Sequence, residues 1–432
     1  MSTIPDRFPT VLPDYVLVYL SELGDMTLHV EMVFDQRLDA DRLARAVELM
    51  YDAEPILGCR FVPQPWRPYW RRLDPRERPP LALAAGEAEY NAFRDTSIDA
   101  QPGPQVTACL WRAADQDHLL LKISHQVSDA GGCKHVAAIV SEIYNRLRDD
   151  PKYLPTPNLT GSRSIWQVLR RLPWTAIPRI YLNYLREVWS GFHPPTSHVL
   201  ALGAEHGDHP AYVLRHLPAE RVARLVEYGR ARGSTINDLV TAATLRAINQ
   251  LSPWDGRSGH RINTTADMRI RHLPNQKAEA VCNISGIEPT NLGRELGADF
   301  DATLAKVTAH SRARKANYIG LSAYIGAMPI SAIIPFSWSC RLMHYFFGWI
   351  IRAGFMPNAM TNLGPIPPEC VTFDQPPTAA WLISPPIFPP LFGFGISGYA
   401  GSLTFSTGTY PPGMTGAQVE NVFETICQIL PE

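Results

Sequence analysis

Of the 13 histidines in the chain, His125 alone is followed four positions later by an aspartate, Asp129. It stands directly after the apolar run HLLLKIS (His118–Ser124) and just before a turn carrying Gly131 and Gly132. The end of such a strand holds a side chain firmly at the edge of a cleft. An imidazole titrates at about pH 6.5, so at neutral pH it can take a proton from a hydroxyl or amine as that group attacks an electrophile. The Gly131–Gly132 turn would open a helix, whose first N–H groups can face a developing oxyanion. The same spacing also fits a plainer arrangement, in which Asp129 only caps the helix starting near Gly131 and His125 is a polar loop residue. Asn283, at the turn of CNISG, could orient an acceptor, brace an interface or simply bond backbone.

The elements around these residues follow from periodicity. MTLHVEMVF alternates as a strand, and DADRLARAVELMYDAEP places apolar residues at helical spacing behind an aspartate cap. VTACLWRAADQDHLLLKIS reads as two strands joined by a polar turn around Asp115–Asp117, with a helix over Cys133–Leu147 after it. Residues 151–209 are rich in proline, arginine and aromatic side chains and suit a crossover between two lobes. Beyond them YVLRHLP, HRINTTADMRI, AVCNISGIEP and SLTFSTGTYPPG read as strands. PAERVARLVEYGRARG, STINDLVTAATLRAINQL, GADFDATLAKVTAHSRARKAN and the segment ending at Leu430 read as helices. The spacing predicts a mixed α/β (α+β) protein of three parts: a first lobe over 1–175, a crossover over 176–208 and a second lobe over 209–432.

Composition sets bounds on this reading. A chain of 432 residues exceeds what one hydrophobic core normally serves, so two lobes are the default. Its 39 prolines are nearly twice the usual share of about 5%, which predicts many loops and broken helices. Forty basic and 41 acidic residues leave a net charge of -1, a poor field for nucleic acid. The seven cysteines are scattered, with no spacing suited to a metal. The start, MSTIPDRFPTVLPDY, has neither the basic residues nor the apolar run of a signal peptide, so cytoplasmic residence is expected.

Several segments, in order, resemble the chloramphenicol-acetyltransferase and condensation-domain superfamily, with its polyketide-associated and alcohol O-acyltransferase branches. The hallmark there is HHxxxDG after a strand, and ISHQVSDAGG matches it at His125 and Asp129, with Ser124 for the first histidine and Ala130 for the glycine. LARAVELMYDAEPILGCRF is similar to the family's early helix and following strand, and GSTINDLVTAA to its "tvndlllaa" helix. ADMRIRHLP with CNISG resembles the "D-R... GN" segment, with Cys282 where glycine is usual, and MTNLGPIP resembles "SNLGP". The resemblance covers nearly the whole chain.

It implies two lobes, each a mixed sheet flanked by helices, with an active-site tunnel at their interface. His125 would be the general base, Asp129 would point away from it, and Arg269 would pair with Asp129, with Arg271 the second choice two residues along the same strand face. Gly131 would support the site, and Ser124, Asn283 and Asn362 are candidate substrate contacts. No cofactor or metal is implied. The co-substrate would be an acyl thioester of coenzyme A or of a carrier protein's phosphopantetheine, and the acceptor a hydroxyl or amine of a lipid or natural product. A monomer is expected, and an acyl or peptidyl carrier protein is the partner the family suggests. Two further readings stay open: an amide-forming condensation enzyme, and a noncatalytic relative that binds carrier proteins.

Residues 316–340 carry no formal charge beyond Lys315, and LMHYFFGWII prolongs the apolar character to Arg352. Gly320, Gly326, Pro329 and Pro335 interrupt a membrane span. Core packing is the default, against a pocket for a long acyl chain or a face touching a membrane that holds a lipid acceptor, as wax-ester or triacylglycerol synthesis would need. RRLPWTAIPRIYLNYLREVW in the crossover has the basic and aromatic mixture to join such a face, or to be a packed linker helix.

Overall fold

The computed structural model describes residues 4–194 and 196–432. The chain opens with strand β1 (Arg7–Pro9), helix α1 (Leu12–Leu20), strand β2 (Thr27–Phe34) and helix α2 (Ala40–Ala53). Strands β3 (Cys59–Val62), β4 (Tyr69–Arg72) and β5 (Ala82–Ala84) precede helix α3 (Glu87–Asp95). Strands β6 (Val106–Arg112) and β7 (Asp117–Ser124) lead into helix α4 (Ala130–Asp149), the single turn α5 (Trp166–Leu169) and helix α6 (Ala176–Gly191). The second half begins with strand β8 (Ala211–Leu217), helices α7 (Ala219–Ala231) and α8 (Ile236–Leu251), strand β9 (Arg261–Asp267) and the short turn α9 (Arg269–His272). Strand β10 (Ser285–Asn291) is followed by helices α10 (Phe300–Lys315), α11 (Ser322–Ile333) and α12 (Phe336–Arg352). Strands β11 (Asn358–Pro365), β12 (Ala379–Ile383), β13 (Gly393–Tyr399) and β14 (Ser402–Thr409) and helix α13 (Gly416–Ile429) close the chain.

Two large sheets carry the architecture. The first runs β12-β2-β7-β6-β5 and the second β10-β9-β11-β13-β14-β8, with a small sheet β1-β4-β3 beside the first. Every residue of β2 is buried, as a strand with partners on both edges and helices above it should be. Helices α2 and α4 cover this sheet and share its core with Leu28, Val30, Leu119 and Leu121. In the second sheet β11 lies parallel to both β9 and β13. Its cover is α8, α10 and α13, whose Leu239, Leu304 and Phe423 meet Met360, Phe394 and Phe405 of the strands. The helix starts are capped as their sequences imply: Asp39, Thr235, Asp299 and Thr415 each accept a backbone N–H from the first turn.

The structure departs from the expected three-part division of 1–175, 176–208 and 209–432. Strand β12 pairs antiparallel with β2, Ala379 opposite Val33 through Ile383 opposite His29, and so completes the first sheet from late in the chain. Helix α12 also joins the first core, where Phe336 packs on Tyr15, Tyr19 and Phe61. The physical reason is edge protection: without β12, the buried strand β2 would present an open row of amides and carbonyls. The first half of the crossover is itself helix, α6. Apolar residues 316–352 form α11 and α12, and no helix among the described residues is long and apolar enough to cross a membrane.

Candidate active site

His125 sits where β7 ends, and both of its backbone polar groups are anchored. Its N–H donates to the Met26 carbonyl at 2.7 Å, and its carbonyl accepts from Asn283 Nδ2 at 3.1 Å. The ring is held as firmly, because Nδ1 lies 2.7 Å from the Ser128 carbonyl. A carbonyl can only accept, so Nδ1 carries the proton and Nε2 keeps its lone pair. Asn283 Nδ2 also approaches Nδ1, at 3.2 Å, but two donors cannot share one hydrogen and the bond to His125 carbonyl oxygen is the productive one. Nε2 has no hydrogen-bond partner among the described residues, and the residue is only partly buried by surface area. Burial holds the imidazole below its ordinary value of 6.5, opposed by the Ser128 carbonyl and by the Asp129 charge. The ring is therefore a neutral base at pH 7.

Asp129 points away from that ring and does two things at once. Its Oδ1 accepts the Gly132 N–H at 2.9 Å and caps α4, while Oδ2 accepts Arg269 Nη1 and the Ile284 N–H, each at 2.8 Å. The capping role that spacing allowed and the ion pair that the resemblance implied coexist. Burial would raise the carboxyl, but Arg269 and the two amides hold it below its ordinary value. Arg269 also bonds Asp267 Oδ1 at 3.1 Å and the Cys282 carbonyl at 2.7 Å. Burial and the neighbouring Asp129 charge push Asp267 the other way, upward. One buried guanidinium thus stitches the β7–α4 turn of the first lobe to the β9 and β10 ends of the second.

Local sequence explains why Arg269, and not Arg271, takes this place. Strand β9 stops at Asp267, whose Oδ1 accepts the Arg269 N–H at 2.9 Å and starts the helical turn α9. The two arginines therefore do not share a strand face: Arg269 is buried, while Arg271 is exposed and bonds the Lys315 carbonyl at 3.3 Å. Gly131 is required by the same packing, since a Cβ there would lie 2.7 Å from Arg269 Nη1 and 3.0 Å from Asp267 Oδ2. Gly132 would put its Cβ 2.9 Å from the Cys282 carbonyl. The Gly132 amide is spent on Asp129, which withdraws it from the oxyanion role expected of that turn.

The other sequence candidates divide. Asn283 is buried and acts as a brace, reaching across to His125. Ser124 is buried at the end of β7, where its Oγ accepts the Gln126 N–H at 3.3 Å; it tightens the turn instead of facing outward. Asn362 lies on β11 and bonds the Gly364 N–H at 2.9 Å, at the irregularity where that strand shifts register against β13. No hydrogen bond joins Asn362 to His125 among the described residues. Cys282, in place of the usual glycine, turns its side chain into a small apolar cluster with Ile165, Val168 and Tyr324. Three contributors escaped the sequence reading. The Ser128 carbonyl and the Ile284 amide are backbone groups that no residue type announces, whereas Asp267 stood in the ADMR string and could have been assigned. Glu54 is a further titrating group at the seam: burial lifts it to about 7, and it accepts from Asn158 Nδ2 and the Val281 N–H beside a cavity of about 290 Å³.

No protein-family model matches the chain, and no curated protein does so significantly. Solved structures do. The first condensation domain of the calcium-dependent antibiotic synthetase, in complex with a substrate analogue, superposes with a TM-score of 0.70 at 16% identity, over 98% of this chain and 96% of that one. Polyketide synthase associated protein 5 from Mycobacterium tuberculosis gives 0.65 at 14% identity, over 98% and 99%. The epimerization domain of the third module of tyrocidine synthetase B gives 0.62 at 16%, over 98% and 96%. Agreement over whole chains shows that the protein has the mixed α/β fold of these condensation and epimerization domains and of polyketide synthase associated protein 5.

Proposed function

We propose that the protein is an acyltransferase in which His125 Nε2 is the general base. The donor is an acyl thioester, of coenzyme A or a carrier protein, and the acceptor a hydroxyl, or an amine, of a lipid or natural product. Nε2 takes the proton as the acceptor oxygen attacks the thioester carbonyl carbon; the tetrahedral adduct then collapses, the C–S bond breaks and the thiolate leaves with the proton from the imidazolium. No acyl-enzyme is needed. The observation that supports this reading most is the tautomer: Nδ1 is committed to the Ser128 carbonyl, so an unpaired Nε2 is left as the acceptor. The neighbours by fold are consistent with it, since condensation domains and a polyketide synthase associated protein share the architecture.

The test is an intact-mass and thiol-release screen of coenzyme A and carrier-protein thioesters against hydroxyl and amine acceptors. A general base contributes about two to four orders of magnitude, so His125→Ala should lose that much in rate while its circular dichroism and melting stay as in the parent. Retention of transfer by a folded His125→Ala protein overturns His125 as the base, and absence of transfer by the parent from every thioester offered favours a binding module. Faster reaction with amines than with matched alcohols would select the amide-forming alternative.

A further inference from the structure

We infer that the outer faces of α6 and α12 form one docking surface for an anionic lipid bilayer. Of the 22 large hydrophobic side chains that stand exposed among the described residues, 14 fall within residues 174–192 and 333–349, so the apolar exposure is a local feature and not a general roughness of the surface. On α12 the stripe Trp338, Leu342, Tyr345, Trp349 points outward at helical spacing, with Trp338 at 68% and Tyr345 at 72% exposure, while Phe336 and Phe347 fill the core. On α6 Ile177, Tyr181, Leu185 and Val188 point outward, flanked by Trp174 at 85% and Trp189 at 68%. The two stripes meet where Phe192 packs on Trp349 and Phe355, ring centroids 6.1 and 4.9 Å apart.

The exposure is built in. The inner face of α6 is fixed by Asn183, whose Nδ2 donates to the Asn317 carbonyl at 2.9 Å, and by Glu187, which pairs with Arg314 and accepts from Ser322 Oγ. Helix α11 packs against both α6 and α12 and ties the face to the seam through Tyr324, whose hydroxyl donates to the Ser285 carbonyl at 2.8 Å. The helix cannot roll its outer stripe inward without breaking these bonds.

Charge and side-chain type select the occupant. The exposed charges of the two helices are Arg179, Arg186, Arg341 and Arg352, none of which has an ion pair among the described residues. The one carboxylate of α6, Glu187, is turned inward on Arg314, α11 and α12 have none, and among the described residues the only carboxylate bonded to α12 is Glu22, on His344. A chain of net charge -1 therefore presents a locally basic face. Tryptophan, tyrosine and arginine on an in-plane helix are the composition that settles at the headgroup level of a bilayer. Rings standing out at 68 to 85% exposure need no matching recess in lipid, whereas a protein partner would have to supply one for each.

The experiment is flotation of the full chain with phosphatidylcholine vesicles containing about one third phosphatidylglycerol, and with phosphatidylcholine alone, read with the tryptophan emission. The parent should float with the anionic vesicles with a blue-shifted emission, and the exposed triple variant Trp189→Ser, Trp338→Ser, Tyr345→Ser should bind at least about tenfold more weakly while folding normally. Arg179→Ser with Arg341→Ser should lose the preference for anionic lipid. The His125→Ala protein should float like the parent, so docking and acyl transfer are read separately. Absence of binding to anionic vesicles, unchanged binding by the triple variant, or a parent dimer in solution that the triple variant dissolves would each overturn the inference, the last by assigning the face to a second copy.

Discussion

With its Nδ1 proton held by the Ser128 carbonyl, His125 has one free nitrogen and one useful protonation state. Burial lowers its affinity for a proton below the ordinary value of 6.5, so the neutral base predominates at pH 7 and is lost on acidification. The pH profile of kcat/KM should be level in the alkaline range and fall tenfold per unit below a folded-state value that lies under 6.5; an acid limb inflecting above 6.5 would contradict the burial of the ring. Arg269 offers a second residue-scale test. Removing it leaves Asp129 charged and buried, which costs about 3–5 kcal/mol, so Arg269→Met should lower urea-unfolding stability by that order. Asp129→Asn in the same background should recover part of the loss, because the orphaned charge is gone. The sign with pH follows: the folded Asp129 lies below its ordinary 3.8, so its contribution is complete above pH 3.8 and disappears as pH falls through the folded value.

At the scale of elements, the turns matter more than the strands and helices they join. The β7–α4 turn must bring Asp129, Gly131 and the Ser128 carbonyl within reach of Arg269, and it does so by leaving no room at position 131. Gly131→Ala should therefore displace the guanidinium, costing about 1–3 kcal/mol as overpacking usually does, and should slow transfer as the His125 turn shifts; a melting curve and a rate measured on the same sample check both. The contrast shows where sequence is informative. Strands β2, β6, β7 and β14 and helices α2, α8 and α10 were legible because residue type carries the period, even in β2, where both faces are buried. Helix α4 begins three residues ahead of the expected Cys133, at Ala130, because Asp129 caps it. His125 and Asp129 were legible as a spaced pair of types, and Arg269 through the resemblance of its segment to the family's "D-R" string. The tautomer of His125, the turn that separates Arg269 from Arg271, and the brace from Asn283 depend on carbonyls and amides that every residue has, and the sequence is silent about where those point.

For the molecule as a whole, the lobes are less separate than the order of the chain suggests. The seam is held by the Asp129–Arg269–Asp267 cluster, by Asn283 on His125, and by the loan of β12 and α12 from the second half to the first. A fragment covering 1–208 lacks the strand that pairs with β2 and should associate through that open edge, eluting as large species in size exclusion; a synthetic peptide spanning 376–385 should return it to a monomer. A monomeric fragment with cooperative unfolding of its own would refute this. The borrowed strand also sets a schedule. Strand β12 begins at Ala379 and pairs with β2, which ends at Phe34, so the ribosome must make everything between Phe34 and Ala379 before the first sheet can close. Throughout that interval the amino-terminal half waits with a bare flank, and the need for chaperone protection is greatest then, long after the His125 turn itself has been made.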